Sequence, residues 1–145
     1  MLAREGGYVH SAADPGGETN FGISKRFNPE VDIKNLTVDG AKEIFFRKYW
    51  TEAKCQQIAD RFPELATVVM DTAVLCGPVN AVAFIPSEYL SQFICDSNVK
   101  KNILKEYLLT RIQYHTAKTM ANRKKEVFFL GWINRVMLLK KEVGI

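Results

Sequence analysis

Apolar residues recur at helical spacing in four stretches of this chain, and the stretches differ in how much of the helix surface they cover. Between about Val38 and Thr51, Ala41, Ile44, Phe45 and Tyr49 fall on one face. Thr37 precedes them as a good N-cap, with Asp39 in the first turn where the helix dipole favours negative charge. A second helix starts at Pro63, a favoured first helical position, and stops at Gly77-Pro78. Leu65, Ala66, Val68, Val69, Met70, Ala73, Val74 and Leu75 make it apolar almost all round, the mark of a central, buried helix. From Val99 to about Arg123 a long amphipathic helix carries Ile103, Leu104, Tyr107, Leu108 and Ile112 on one face. A last helix, from about Glu126 to Lys141, carries Phe129, Leu130, Ile133, Val136 and Met137.

The remaining segments are read from their turn formers. Residues 1–5 fit the last turn of a helix, which Gly6 and Gly7 can end. Residues 11–19 are dense in turn residues, and Asn20 to Ser24 has strand character. Phe27 to Asn35 reads as a loop. Ala81 to Ile85 fits a short helix that Pro86 interrupts, and Ser87 can cap a second piece to about Cys95. The expected class is mainly α, with at most one small β-hairpin near residues 8–24. A length of 145 residues suits a single domain, with a half over 1–78 and a helical half over 79–145.

Composition narrows the setting. The net charge of +4 favours an anionic partner such as cell-wall polymer, nucleic acid or a membrane surface. Cys55, Cys76 and Cys95 have neither a paired count nor zinc spacing, so each is expected to be a buried thiol. Met1-Leu2-Ala3-Arg4 has no apolar run of the kind that opens a signal peptide. No stretch reaches the roughly 18 apolar residues of a membrane span. Synthesis in the cytoplasm, with no stable membrane insertion, is expected.

Chemistry concentrates in Glu5 to Gly22. Glycoside hydrolysis needs one protonated carboxyl group for the leaving oxygen and one carboxylate that activates water or attacks the sugar. Glu5 at a helix end and Asp14 in the following turn can face one cleft, with the Thr19 hydroxyl orienting the water. In an inverting enzyme the two carboxyl groups stand about 6.5–9.5 Å apart. Glu18 is an alternative second carboxylate.

These residues also match a family. Glu5-Gly6-Gly7-Tyr8, Asp14-Pro15-Gly16-Gly17-Glu18-Thr19 and Gly22-Ile23-Ser24 resemble the start of glycoside hydrolase family 108. Similar elements recur at Asp32 to Thr37, Tyr49-Trp50, Asp71-Thr72-Ala73 and Gly77-Pro78. Phe129 to Arg135 resembles the end of the peptidoglycan-binding half that usually completes such proteins. The resemblance implies a lysozyme-like all-α fold and an N-acetylmuramidase of the phage-endolysin or secretion-associated type. It implies cleavage of the β-1,4 bond between N-acetylmuramic acid and N-acetylglucosamine, with Glu5 as the catalytic acid. Asp14 and Thr19 take their roles from a Glu–x8–Asp–x4–Thr spacing close to that of phage lysozymes. Peptidoglycan strands are the implied partner, with action on the cell wall in the periplasm after release by a holin or a secretion system. A monomer is expected, with no nucleic-acid partner and no metal or organic cofactor.

Further substrate contacts are expected from Tyr8, Glu18, Asn20, Tyr49, Trp50 and Asp71. Tyr8 can line a sugar groove or pack on the hairpin. Tyr49 and Trp50 end a helix and fit core as well as groove. Asp71 sits in an apolar helix, where a buried charge must be paired; Arg111 or Arg135 is its expected partner, and a cleft contact is the alternative. His10 is expected at the surface, Trp132 in the core, and Arg123-Lys124-Lys125 on a solvated face. Two other functional readings fit the chain: a catalytically inactive, truncated peptidoglycan-binding remnant, and a small basic nucleic-acid module.

Overall fold

Two polar side chains inside the protein, Asn20 and Asp71, organise the elements around them. The computed structural model describes residues 7–10, 17–90 and 96–145, and for His10 and Leu90 the backbone alone. Glu5, Asp14, Cys95 and the helix end expected over 1–5 lie outside the described residues. The chain forms two compact units, Met1–Lys48 and Tyr49–Ile145.

In the first unit a three-stranded antiparallel sheet runs in the order β1 (Val9–His10), β2 (Glu18–Asn20), β3 (Ile23–Ser24). It has one strand more than the expected hairpin. Val9 faces Thr19 and His10 faces Glu18; on the other side Thr19 faces Ser24 and Asn20 faces Ile23. Phe21 and Gly22 join β2 to β3 with φ of 51° and 75°. Two consecutive positive φ values match the twist of a tight hairpin, and Gly22 adopts one freely. Phe21 carries a cost of about 1–2 kcal/mol there.

Asn20 is 5% exposed, and its Nδ2 donates to the carbonyls of Ile33 (3.1 Å) and Leu36 (3.4 Å). That pair fastens β2 to the segment leading into α1 (Val38–Phe45). Thr37 caps α1 as expected, its Oγ1 accepting from the Gly40 N–H at 3.1 Å. Ala41, Ile44 and Phe45 are its buried face. The helix continues as a π-helical turn over Phe46–Thr51. Lys48 in that turn donates to Phe27 O (3.1 Å) and Asn28 Oδ1 (2.6 Å), and Asn28 Nδ2 donates to Ser24 O (3.0 Å). One lysine thus anchors the loop that follows β3.

The second unit is helical among its described residues: α2 (Cys55–Ala59), α3 (Pro63–Cys76), α4 (Pro78–Ala83), α5 (Ser97–Ala121) and α6 (Glu126–Glu142). Short 3-10 turns occupy Ser87–Leu90 and Arg123–Lys125. Helix α3 is central, as its all-round apolar surface predicts. Leu65, Val68, Val69 and Ala73 are fully buried and pack with Phe62, Ile103, Leu104, Tyr107 and Val136. Each large side chain so buried contributes roughly 1.5–3 kcal/mol. Asp96 caps α5, its carboxylate accepting from the N–H groups of Asn98 (2.7 Å) and Val99 (3.0 Å).

Polar groups cross this core in a single cluster. Asp71 on α3 takes Arg111 Nη1 from α5 at 2.9 Å and Arg135 from α6, with Nε 3.0 Å and Nη2 2.9 Å from its Oδ1. Arg111 Nη1 also donates to Thr72 Oγ1 at 3.1 Å. Both arginines proposed as partners of Asp71 are therefore engaged. One turn further along α5, His115 stacks on Trp132 with ring centroids 4.6 Å apart and lies 3.8 Å from the Cys76 thiol. Burial, then the charges of Arg111 and Lys118, pull the His115 imidazole down to about 4. Cys55 and Cys76 are buried free thiols, as expected, and burial raises both.

Of the apolar residues that α6 carries, Leu130 and Met137 are 71% and 57% exposed, while Val136 and Leu139 are buried. Arg135 has to reach Asp71, and that sets the rotation of the helix.

Two expected outcomes follow. Asp71→Asn keeps the shape but leaves Arg111 charged and buried, so it should cost about 3–5 kcal/mol of stability in urea unfolding; a loss under 1 kcal/mol would contradict the role given to this cluster. The imidazole of His115 sits below its ordinary value of about 6.5, so the folded state prefers it neutral. As pH falls through about 6.5 toward about 4, the unfolded chain takes up a proton that the folded chain refuses. Stability should decline on the order of 3 kcal/mol across that window, and His115→Phe should flatten the decline.

Candidate active site

The described residues of the candidate site lie on the small sheet. Side chains alternate between the two faces of a strand. Asn20 and its partner Ile23 (3% exposed) therefore point inward together. Thr19 shares the opposite face with Val9, which is 56% exposed, and with half-buried Ser24. The sequence feature that places Thr19 outward is thus Asn20: once its carboxamide is bonded to Ile33 and Leu36, its neighbour must face away.

Tyr8, 40% exposed, donates its phenol to Glu18 Oε1 at 3.2 Å. Partial desolvation and then the Glu18 carboxylate push the phenol above its ordinary value. Glu18 follows the same pleat as Asn20, opposite to Thr19. Glu18 and Thr19 do not converge on one point, and Glu18 already has a donor. Asp32 serves the loop below: its carboxylate accepts from Asn35 Nδ2 (2.9 Å) and Asn35 N–H (3.2 Å). Those bonds, the side-chain one first, hold its carboxyl below the usual range. The Asp–x–x–Asn spacing of Asp32 and Asn35 is the sequence signal for such a side-chain-closed turn.

Of the other expected contacts, Tyr49, Trp50 and Asp71 fall in the second unit. Tyr49 and Trp50 sit in the π-helical turn, half-buried and packed against the core cluster of that unit. Asn20, in the first unit, and Asp71, paired with arginines as expected, both point into the protein. Each is about 5% exposed or less, with its bonds to protein groups described above. Glu5 and Asp14, the two carboxyl groups of the expected chemistry, lie outside the described residues.

A cavity of about 400 Å³ in the second unit is lined by Lys54, Gln57, Ile58, Arg61, Ile85 and Tyr89, among others. Among the described residues no carboxylate lines it. Among the described residues no three His, Cys, Asp or Glu side chains cluster closely enough to hold a metal ion.

Comparison with known proteins bears on the whole arrangement. A family model described as glycosyl hydrolase 108 matches residues 1–77. No curated protein matches the chain. Among solved structures, that titled "Structure of Brucella abortus SagA" superimposes with a TM-score of 0.73 at 23% sequence identity, over 98% of this chain and 88% of that one. At that identity the likeness is one of fold, and it agrees with a mainly α, lysozyme-like architecture.

The internal bonds of Asn20 give a direct test. Asn20→Ala leaves the buried Ile33 carbonyl and that of Leu36 without their donor, which should cost about 1–3 kcal/mol. Urea unfolding measures it; an unchanged midpoint would remove Asn20 as the element that sets the sheet's faces.

Proposed function

Because the chain belongs to the glycosyl hydrolase 108 family, whose model matches more than half of it, and is thereby a glycoside hydrolase of peptidoglycan, we propose that it is an N-acetylmuramidase with Glu5 as its general acid. The reading has Glu5 protonate the leaving oxygen of the β-1,4 bond between N-acetylmuramic acid and N-acetylglucosamine. Asp14 stands on the other side of the bond, as base toward water or as stabiliser of the positive charge that develops on the sugar. Thr19 hydrogen-bonds the water or the substrate beside Asp14. Export through a holin or a secretion system would bring the protein to the wall.

The observation that carries the reading is the family match over residues 1–77, which contains Glu5, Asp14 and Thr19 together. The sheet geometry supports it at one point. Thr19 lies on the open face with Val9 and Ser24, where a hydroxyl can meet a ligand. The same geometry counts against Glu18 as the second carboxylate, since Glu18 follows the face opposite to Thr19 and is bonded by Tyr8.

The test is clearing of purified peptidoglycan. Wild type should lower the turbidity and release fragments with N-acetylmuramic acid at the reducing end. Glu5→Gln removes the proton donor and should slow the rate about 100-fold or more. Thr19→Ala should weaken clearing and Thr19→Ser should restore part of it. Equal clearing by wild type and Glu5→Gln would sink the assignment of Glu5. Absence of clearing by both would favour the reading as an inactive peptidoglycan-binding remnant.

A further inference from the structure

Helix α6 carries apolar residues on every side, yet only one side of it is buried. Val136 and Leu139 are 2% and 1% exposed, while Val127, Leu130, Met137 and Leu138 are 79%, 71%, 57% and 51% exposed. With 3.6 residues per turn these four fall on one outward stripe. Gly131 and Asn134 interrupt the stripe, and Lys141 closes it. Glu126 stands at the N-terminal end of the same stripe. Contiguous apolar surface of this kind marks an interaction site.

Charge selects the occupant. Between Arg123 and Glu142 the chain carries six cations and two carboxylates, a difference of four. That equals the whole net charge of +4; the remaining fourteen cations and fourteen carboxylates cancel. Arg135 is engaged with Asp71. The other five, Arg123, Lys124, Lys125, Lys140 and Lys141, outnumber Glu126 and Glu142 at the two ends of the apolar stripe; Arg123 lies 3.8 Å from Glu126. Beside it runs a groove of about 200 Å³ between α5 and α6. Leu109, Ile112, Val136 and Met137 line the groove, with Lys105 and Lys140 among its walls. A second copy of the chain would bring five more cations against these five. A polysaccharide offers little to four large aliphatic side chains. An anionic lipid surface offers both a hydrocarbon phase and phosphates.

We propose that α6 docks the protein on an anionic lipid bilayer. The helix lies in the plane of the interface, with Val127, Leu130, Met137 and Leu138 among the acyl chains. The five cations meet the headgroup phosphates, and the lysine stems reach along the apolar surface to them. One acyl chain occupies the groove between α5 and α6. Contact is peripheral: no helix among the described residues is long and apolar enough to cross a membrane. The proposal does not rest on the hydrolytic reading, and its test involves no cleavage.

Flotation of the full chain with vesicles measures it. Vesicles of phosphatidylcholine alone are compared with an equimolar mixture of phosphatidylcholine and phosphatidylglycerol. The protein should partition at least about tenfold more strongly to the mixed vesicles, a difference worth about 1.4 kcal/mol. Val127→Glu with Leu130→Glu should reduce that partition about tenfold, with circular dichroism and melting temperature unchanged because both sites are exposed. Lys140→Glu with Lys141→Glu should reduce it as well. Three results overturn the proposal: equal partition to both vesicles, no effect of the Val127/Leu130 pair, or sedimentation showing a dimer that this pair dissolves. The last would make a second copy the occupant.

Discussion

A buried carboxylate is tolerable only when its charge is met on the spot, and Asp71 imposes that demand on the second unit. It sits on α3 in an otherwise apolar surround, and α5 and α6 each answer with an arginine. The consequence reaches beyond the pair. A helix with apolar residues on every side, such as α6, has little hydrophobic preference for one rotation about its axis. The bond from Arg135 to Asp71 supplies one. It turns Val136 and Leu139 toward the core and thereby Val127, Leu130, Met137 and Leu138 toward the outside. The apolar surface assigned to lipid is thus a by-product of an ion pair inside the protein. The five cations near it are those that the core does not use.

The first unit repeats the logic on a smaller scale. Three strands of two or three residues cannot hold a register by ladder bonds alone. Asn20 does so with a side chain, bonding Ile33 and Leu36 across the loop that enters α1. A one-residue slip would place Thr19 inside and Asn20 outside, so the internal bond and the outward hydroxyl are one choice. Lys48 adds the second anchor, holding Phe27 and Asn28. Residues quoted as motif therefore divide between two jobs. Asn20, Asp32 and Asn35 build the platform, and Thr19 is presented by it.

How much of this could be read from the chain depends on whether a feature had a period or a punctuating residue. Helix α3 was legible to the residue because Pro63 opens it and Gly77-Pro78 close it. The capping of α1 by Thr37 was legible for the same reason. Helix α2 was not foreseen: the break before it is made by Lys54 at φ 53°, with no glycine, asparagine or proline to announce it. On α5 the apolar face was read correctly from Ile103 to Leu108, yet the same face continues through Arg111 and His115. A search for apolar periodicity cannot see buried polar residues, because their burial rests on partners distant in sequence. The inner face of α6 was not legible, because a helix with little amphipathic contrast has no period to read. At the candidate site, the family motif picked out Thr19 and Glu18, but only strand pairing separates them onto opposite faces.

The extent of the family match adds a constraint on what residues 1–77 can do alone. The match ends at the C-cap of α3, and the partners of that helix lie beyond it. Its apolar surface is covered by Ile103, Leu104, Tyr107 and Val136, and its carboxylate is neutralised by Arg111 and Arg135. Cut at residue 77, the helix would expose Leu65, Val68 and Val69 and keep Asp71 with no cation. Tyr107, whose hydroxyl donates to the Ala81 carbonyl at 2.9 Å, ties α4 into the same assembly. Residues 1–77 therefore include a helix, α3, whose packing and charge partners lie outside them. Helices α4 to α6 are required for stability whatever else they bind. This explains how their inner faces can be held in place while the outer face of α6 is free to take up a second role.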